Sequence, residues 1–186
     1  RSPADGHTLL FAVTTTATNT LLYERLGYSM RDFVPVANIV KVPFVLAVAP
    51  SSPLRDLRDL VALANSRPDG ITNAIVGRGG TVHLTGEMFR RTAGIRMLDV
   101  PYRGMGPAVS DLIAGTVDVA FDGSVSSLPQ AQAGTLRLLG VTHTERLPGA
   151  PQLPTFVEQG FPGMVAYSWY GVLAPAGTPP AVVTRL

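Results

Sequence analysis

Cysteine is absent from the 186 residues, which excludes a disulfide framework, a zinc knuckle and a thiol nucleophile. A cysteine-free chain suits an oxidising or a reducing compartment equally. Charge is scarce, at 15% Asp, Glu, Lys and Arg, and aromatics reach only 7%. The formal net charge is +2 although the sequence pI is about 9.3. The basic residues are scattered, with no Lys/Arg block and no aromatic-interleaved stripe, so the footprint of a nucleic-acid face is missing. No apolar run reaches the roughly 18–20 residues that cross a bilayer. The longest candidate, Val34 to Pro50, is interrupted by Pro35, Lys41 and Pro43. The opening residues Arg1-Ser2-Pro3-Ala4-Asp5-Gly6 read as a turn and not as a charged-then-apolar leader.

What is present is apolar and well punctuated. Hydrophobic residues make up 46% of the chain, which places it among folded proteins. Its length allows one sizeable core or two small lobes. Thr8 to Val13 reads as a buried strand, which needs neighbours on both sides. Phe44 to Val48 is another. Ser52-Pro53 opens a helix with Leu54, Leu57, Leu60, Val61 and Ala64 on one face, closed by Pro68-Asp69-Gly70. Thr72 to Val76 is a strand, and a helix follows from Thr81 to Gly94 with Leu84, Met88 and Phe89 turned inward. Met97 to Val100 is a strand, and Gly106-Pro107 starts the next helix. Val117 to Asp122, a short helix from Ser127 to Ala133, and the strand Leu136 to Thr142 come next. Arg146 to Gly163 is rich in Pro and Gly and irregular, and Trp169 to Ala174 is a last strand. Thr178 is placed as the N-cap of a final helix with Pro179 at its first position. That helix stops after about two turns with no C-cap, which is marginal alone. Both ends therefore read as interrupted, with flanking sequence expected. Repeated strand–helix units of this length imply a mostly parallel α/β sheet.

Several strands end in small, polar loops rich in N–H donors. The most informative is Gly77-Arg78-Gly79-Gly80-Thr81-Val82-His83. Glycines let the backbone turn sharply and approach a ligand, and the following helix offers unpaired N–H groups and the positive end of its dipole. It is not a dinucleotide fingerprint, because the third glycine would fall on Val82. It is not a P-loop, because no Gly-Lys-Ser/Thr follows. Two readings stand, an anion site and a turn that only lets strand and helix pack. Pro101-Tyr102-Arg103-Gly104-Met105-Gly106-Pro107 and Asp122-Gly123-Ser124-Val125-Ser126 have the same form, and Thr14-Thr15-Thr16-Ala17-Thr18-Asn19 follows a strand with clustered hydroxyls. In α/β sheets, ligands sit outside the carboxyl ends of strands.

Other chemistry finds little support. His83 and Glu87 share a helix face, but His7 and His143 lie far off in sequence and lack metal spacing, so His83 reads as a hydrogen-bonding or ligand-contact residue and no metal is expected. No Gly-x-Ser-x-Gly elbow occurs. Asp99 and Asp122 are too loosely placed to form a catalytic pair. Arg78 and Arg103 could assist an anion or be merely solvated. No cofactor is expected.

Five ordered segments carry a resemblance across the whole chain. Asp5-Gly6-His7-Thr8-Leu9-Leu10 is similar to the DGYTLL of Bug-type tripartite tricarboxylate transporter receptors. Asp32-Phe33-Val34-Pro35-Val36 resembles their DFxPV. Gly77 to Glu87 resembles their GxGTxxHLAGE, with several positions changed. Val100 to Gly104 resembles VPYKG, and Trp169 to Pro179 resembles WxGLLAPAGTP. The resemblance implies a two-lobed α/β periplasmic binding protein of type II, with three-layer lobes closing on a ligand and an incomplete first lobe. Lobe I would comprise residues 1–45 and 165–186, and lobe II residues 46–164. The resemblance implies a receptor that captures a small carboxylate and hands it to the membrane permease subunits of a tripartite tricarboxylate transporter. It implies a periplasmic location and no enzymatic activity. The positions that match the family's site are Thr14, Thr15, Thr16 and Thr18 on the first lobe, and Gly79, Gly80, Thr81, His83, Tyr102, Arg103 and Asp122 on the second. The family's glycine-rich first loop would precede Arg1, and Arg78 stands where the family often has a small or amide residue. An effector-binding domain of a bacterial transcription regulator and an α/β enzyme acting on an anionic metabolite are the competing readings. The first would need a helix-turn-helix upstream, and the second a nucleophile, base or metal set.

Overall fold

The structure is a computed structural model that describes residues 2–186. Arg1, the first residue of the expected N-terminal turn and of the expected first lobe, lies outside the described residues. The elements alternate: β1 Leu10–Val13, α1 Thr14–Leu22, β2 Phe33–Val48, α2 Leu57–Ser66, β3 Ile71–Val76, α3 Thr81–Ala93, β4 Met97–Tyr102, α4 Met105–Ile113, β5 Val119–Gly123, α5 Ser124–Gln132, β6 Arg137–Val141, β7 Tyr167–Pro175 and α6 Pro180–Arg185. The described residues contain no helix long and apolar enough to cross a membrane. The chain divides into two compact units. One comprises the residues up to Lys41 together with Ser168–Leu186, and the other is Val42–Tyr167.

In the larger unit the strand order is β6, β2, β5, β3, β4. β3 runs parallel to β4 and to β5, while β2 runs antiparallel to β5 and β6. Alternation along β2 sends Phe44, Leu46 and Val48 into one hydrophobic cluster and Val45 and Ala47 into two others. The first cluster joins the strands to Leu57, Leu60 and Ala64 of α2 and Phe89 of α3. The second joins Ala47, Ala74 and Ala120 to Ala108 and Leu112 of α4. Helices therefore cover both faces of the sheet, giving three layers. At the centre Phe89 packs edge-on against Phe156 and Phe161, with centroids 5.3 Å away in each case, and against Phe121 at 6.1 Å. Each such pair adds about 0.5–1.5 kcal/mol beyond area burial.

The expected mostly parallel sheet is corrected to a mixed one. The connection Ala49–Gly70 leaves and re-enters at one edge of the sheet, so β3 runs opposite to β2. A β-α-β pattern in sequence does not reveal whether the connecting segment crosses the sheet. The helix expected to open at Ser52-Pro53 begins instead at Leu57, where the Asp56 carboxylate accepts the Asp59 N–H at 2.8 Å. The helix expected from Ser127 begins at Ser124, directly off β5. The final helix starts at Pro180, and the Thr178 hydroxyl donates to the Pro175 carbonyl at 2.8 Å rather than capping it.

In the smaller unit β1 pairs antiparallel with β7, from Leu10 opposite Leu173 to Val13 opposite Tyr170. The burial expected for this strand, which rests on neighbours at both sides, is not met within this chain. Among its residues only Ala12 is buried, and Phe11 is 61% exposed, because β1 lies at the end of the strand order with β7 as its one partner among the described residues.

Candidate anion-binding edge

The parallel register of β3 with β4 and β5 sets their carboxyl ends along one edge, with Val76 opposite Tyr102. Each of these strands passes through glycine into a helix. The helix starts are Gly80 before α3, Gly104 before α4 and Gly123 before α5, and none has a side-chain cap. The first-turn N–H groups of an α-helix have no intrahelical acceptor, so these termini present donors and the positive ends of dipoles. Helix α2 shows the contrast. It begins near the opposite edge, where Arg137 binds the Leu54 carbonyl and pairs with Val48 at the end of β2, and there Asp56 fills the cap. The open helix starts therefore coincide with one edge of the sheet. In α4 the set is reduced, because Pro107 at the third position has no N–H.

Hydrogen bonds within the protein fix the Gly77–Gly80 loop. Gly77 and Gly79 have φ of 72° and 78°, the left-handed region that favours glycine. The Gly80 N–H donates to the Gly77 carbonyl at 3.2 Å, and the Gly79 N–H donates to His83 Nδ1 at 3.1 Å. The two amides are thus committed, and what Gly79 and Gly80 bring to the edge is the shape of the turn. Thr81 is the first residue of α3, and its carbonyl accepts the Thr85 hydroxyl at 2.8 Å. His83 Nε2 lies 3.0 Å from Asp99 Oδ2, and Asp99 Oδ1 accepts from Asn73 Nδ2 at 3.0 Å.

His83, Glu87 and Asp99 offer three ligand atoms within 4.8 Å of one another. Each already has a protein partner. Glu87 holds Arg90 through two hydrogen bonds, at 2.9 and 2.6 Å, and the hydrogen bond to Arg90 draws its carboxyl below the usual range. The hydrogen bonds give His83 and Asp99 a bracing role, while Glu87 is held by Arg90.

The remaining expected residues at this edge divide by what their polar atoms do. The Tyr102 hydroxyl donates to Asp111 at 2.7 Å, and that bond, with burial and the carboxylate's charge, pushes its pKa up to about 12. Asp122 is buried, and its Oδ2 accepts from the Ser126 and Ser127 hydroxyls at 2.6 and 2.7 Å. Arg103 and Arg78 are exposed and, among the described residues, belong to no ion pair. They leave positive charge beside the open helix starts.

The threonine cluster lies in the smaller unit and is not a loop. Thr14, Thr15, Thr16 and Thr18 all belong to α1, whose start at Val13 has no side-chain cap. The Thr14 hydroxyl accepts the Trp169 N–H at 2.9 Å, and the Thr16 hydroxyl accepts the Val13 N–H at 3.2 Å. These bonds hold the strand-to-helix junction. Thr15 and Thr16 border a cavity of about 760 Å³, together with Asn19, Tyr28, Leu10 and Phe33. Thr18 Oγ1 is buried without a hydrogen-bond partner.

Two contributors escape a reading of the sequence. Asn73 is 1% exposed inside β3, and its one signal is an amide side chain in an otherwise apolar strand. Asp99 is legible only as a carboxylate near a strand end, since its partners lie 26 and 16 residues away.

Comparison with known proteins agrees with this architecture. Residues 1–186 match the family described as TctC, the tripartite tricarboxylate transporter family receptor. The UPF0065 protein in the tcbD-tcbE intergenic region of Pseudomonas sp. strain P51 is 42% identical over all of this chain and 56% of its own length. Protein BugT of Bordetella pertussis is 34% identical over 100% of this chain and 58% of its own. The chain thus spans a little over half the length of the curated relatives it matches. Among solved structures, R. palustris Rpa4515 with adipate is 38% identical with a TM-score of 0.85, over 100% of this chain and 62% of that one. MatC (Rpa3494) from Rhodopseudomonas palustris with bound malate is 30% identical with a TM-score of 0.81, over 99% and 63%. The fold is that of the periplasmic binding proteins of this type, and the chain belongs to the tripartite tricarboxylate transporter receptor family.

Proposed function

We propose that the protein to which this chain belongs is an extracytoplasmic solute-binding receptor that captures a small carboxylate, and that it works by binding and not by catalysis. The observation that carries the reading is the convergence of three uncapped helix starts, α3, α4 and α5, on one edge of the sheet. Backbone N–H groups at a helix terminus bind an anion through charge-assisted hydrogen bonds. Arg78 and Arg103 add a field that draws anions toward that edge. The donors are mostly neutral, which keeps binding reversible, as delivery demands. The adipate and malate named with two similar structures point the same way. In this reading the receptor works in the periplasm and hands its solute to the permease subunits of a tripartite tricarboxylate transporter. Thr14, Thr15 and Thr16 then contribute through the start of α1, and Thr18 from the turn that follows. Gly79, Gly80, Thr81, His83, Tyr102, Arg103 and Asp122 shape and charge the edge of the larger unit. Isothermal titration of the protein with a panel of mono-, di- and tricarboxylates, neutral sugars and divalent metals tests the proposal. Heat from at least one carboxylate supports it. Binding of a sugar or a metal with no response to any carboxylate ends it.

A further inference from the structure

We infer that Asp99 and Asn73 are positioning residues that preset the Gly77–Gly80 turn through the imidazole of His83. The inference rests on the anion-binding reading only for its consequence, not for its geometry.

A backbone N–H can only donate, so the 3.1 Å contact from the Gly79 N–H makes His83 Nδ1 an acceptor. A neutral imidazole with a bare Nδ1 carries its proton on Nε2. Nε2 lies 3.0 Å from Asp99 Oδ2, an acceptor suited to that proton. The second oxygen of Asp99 is held at 3.0 Å by the Asn73 amide. A chain of three bonds thus runs from a buried strand residue to the turn: Asn73 fixes Asp99, Asp99 selects the ring tautomer, and the ring holds Gly79. His83 and Asp99 each have a side-chain exposure of 17%, so water competes weakly. The packing admits this arrangement because residue 86 is glycine. A Cβ there would come 3.0 Å from Asn73 Nδ2. Glu87 and Arg90 of α3 also lie beside the ring and the carboxylate, and they are paired with each other at 2.6 Å.

Both glycines of the turn with positive φ, Gly77 and Gly79, are free to adopt other conformations. Without the ring, the Gly80 to Gly77 bond no longer has the Gly79 bond beside it. Holding the turn before ligand arrives removes an ordering cost from binding.

Asp99→Asn tests the chain, because an amide offers one acceptor where a carboxylate offers two. If the carbonyl of the introduced amide keeps the bond from Asn73, its NH₂ faces Nε2, the ring proton moves to Nδ1, and the Gly79 bond is lost. Imidazole ¹⁵N shifts read the tautomer, the Gly79 amide resonance reads the turn, and titration with malate and adipate reads the consequence. The expected result for Asp99→Asn is a proton on Nδ1, a displaced Gly79 resonance and an affinity reduced about tenfold, the loss of one hydrogen bond of this kind. The double variant N73L/D99N removes the competing donor, frees the introduced carbonyl for Nε2, and should restore tautomer, resonance and affinity together. A merely structural role would not be rescued in this way. An unchanged tautomer and Gly79 resonance in a folded Asp99→Asn protein overturns the inference, as does unchanged affinity despite both shifts. If the unaltered protein binds neither probe, the carboxylate reading is in trouble while the tautomer and Gly79 readouts still judge the relay.

Discussion

Placing a negative charge at the start of α4 should strengthen the fold and weaken carboxylate binding at once. Gly104 is the N-cap residue, its backbone is extended at φ 179°, and a Cβ built on it meets nothing within 4 Å. Gly104→Asp therefore fits without displacing a neighbour. Its carboxylate can accept the Gly106 N–H, which contributes a few tenths of a kcal/mol relative to glycine. Interaction with the helix dipole contributes about 0.3–1 kcal/mol, and restricting the unfolded chain about 0.4–1 kcal/mol. The expected gain is about 1–2 kcal/mol, read as a higher urea midpoint. A bound carboxylate about 6 Å away would feel a repulsion of about 1.4–2.8 kcal/mol at an effective dielectric constant of about 20–40. That corresponds to about a ten- to hundredfold loss of affinity for malate or adipate. Gly104→Ala carries neither cap nor charge and should leave affinity within about twofold, since a surface change of this kind stays within about 0.5 kcal/mol. If Gly104→Asp binds as tightly as the parent, the α4 terminus is not an anion contact. If Gly104→Ala loses as much affinity as Gly104→Asp, the effect is steric and the electrostatic reasoning fails.

Two further outcomes concern stability. Burial acts to raise the pKa of Asp118, but bonds from the Thr72 N–H, Arg67 and the Thr72 hydroxyl outweigh it and hold the carboxyl below its usual range. A depressed folded-state pKa stabilises above the unfolded value of about 3.9, and that stability is lost as pH falls through the folded value. Asp118→Asn should therefore lower the denaturation midpoint at neutral pH, and the gap should close below about pH 4; a gap independent of pH would contradict this account. Phe89→Ala empties the centre of the aromatic cluster, where the ring is fully buried, and should cost about 3–5 kcal/mol in urea unfolding. Phe11→Ala, on the exposed strand, should stay within about 0.5 kcal/mol, and equal losses at the two positions would sink the assignment of the core.

Much of this is legible from residue order, and the misses have physical causes. The start of α3 at Thr81 and its end at Gly94 are readable because a glycine-rich turn opens it and an αL glycine, at φ 65°, closes it. The threonine run reads as a loop because β-branched residues are indifferent helix formers. Tertiary bonds decide the matter, with Thr14 accepting from Trp169, 155 residues away in sequence. Ser52-Pro53 looks like a helix start, but Asp56 supplies the cap that the chain uses. The strand–glycine–helix junctions are visible locally, and their sharing of one edge depends on β5 lying between β2 and β3. The partners of His83 are not visible, because a hydrogen-bond acceptor many residues away leaves no periodic trace.

Strand β2 spans sixteen residues, and the passage from Lys41 to Val42 between the two compact units falls inside it. The return passage, from Tyr167 to Ser168, falls at the first residues of β7. Neither crossing offers a flexible loop, the place where proteases nick and where chains tolerate being cut. Dissecting the molecule to study either unit by itself would cut inside a strand at both crossings instead of in a linker, so the two units have to be expressed and handled together.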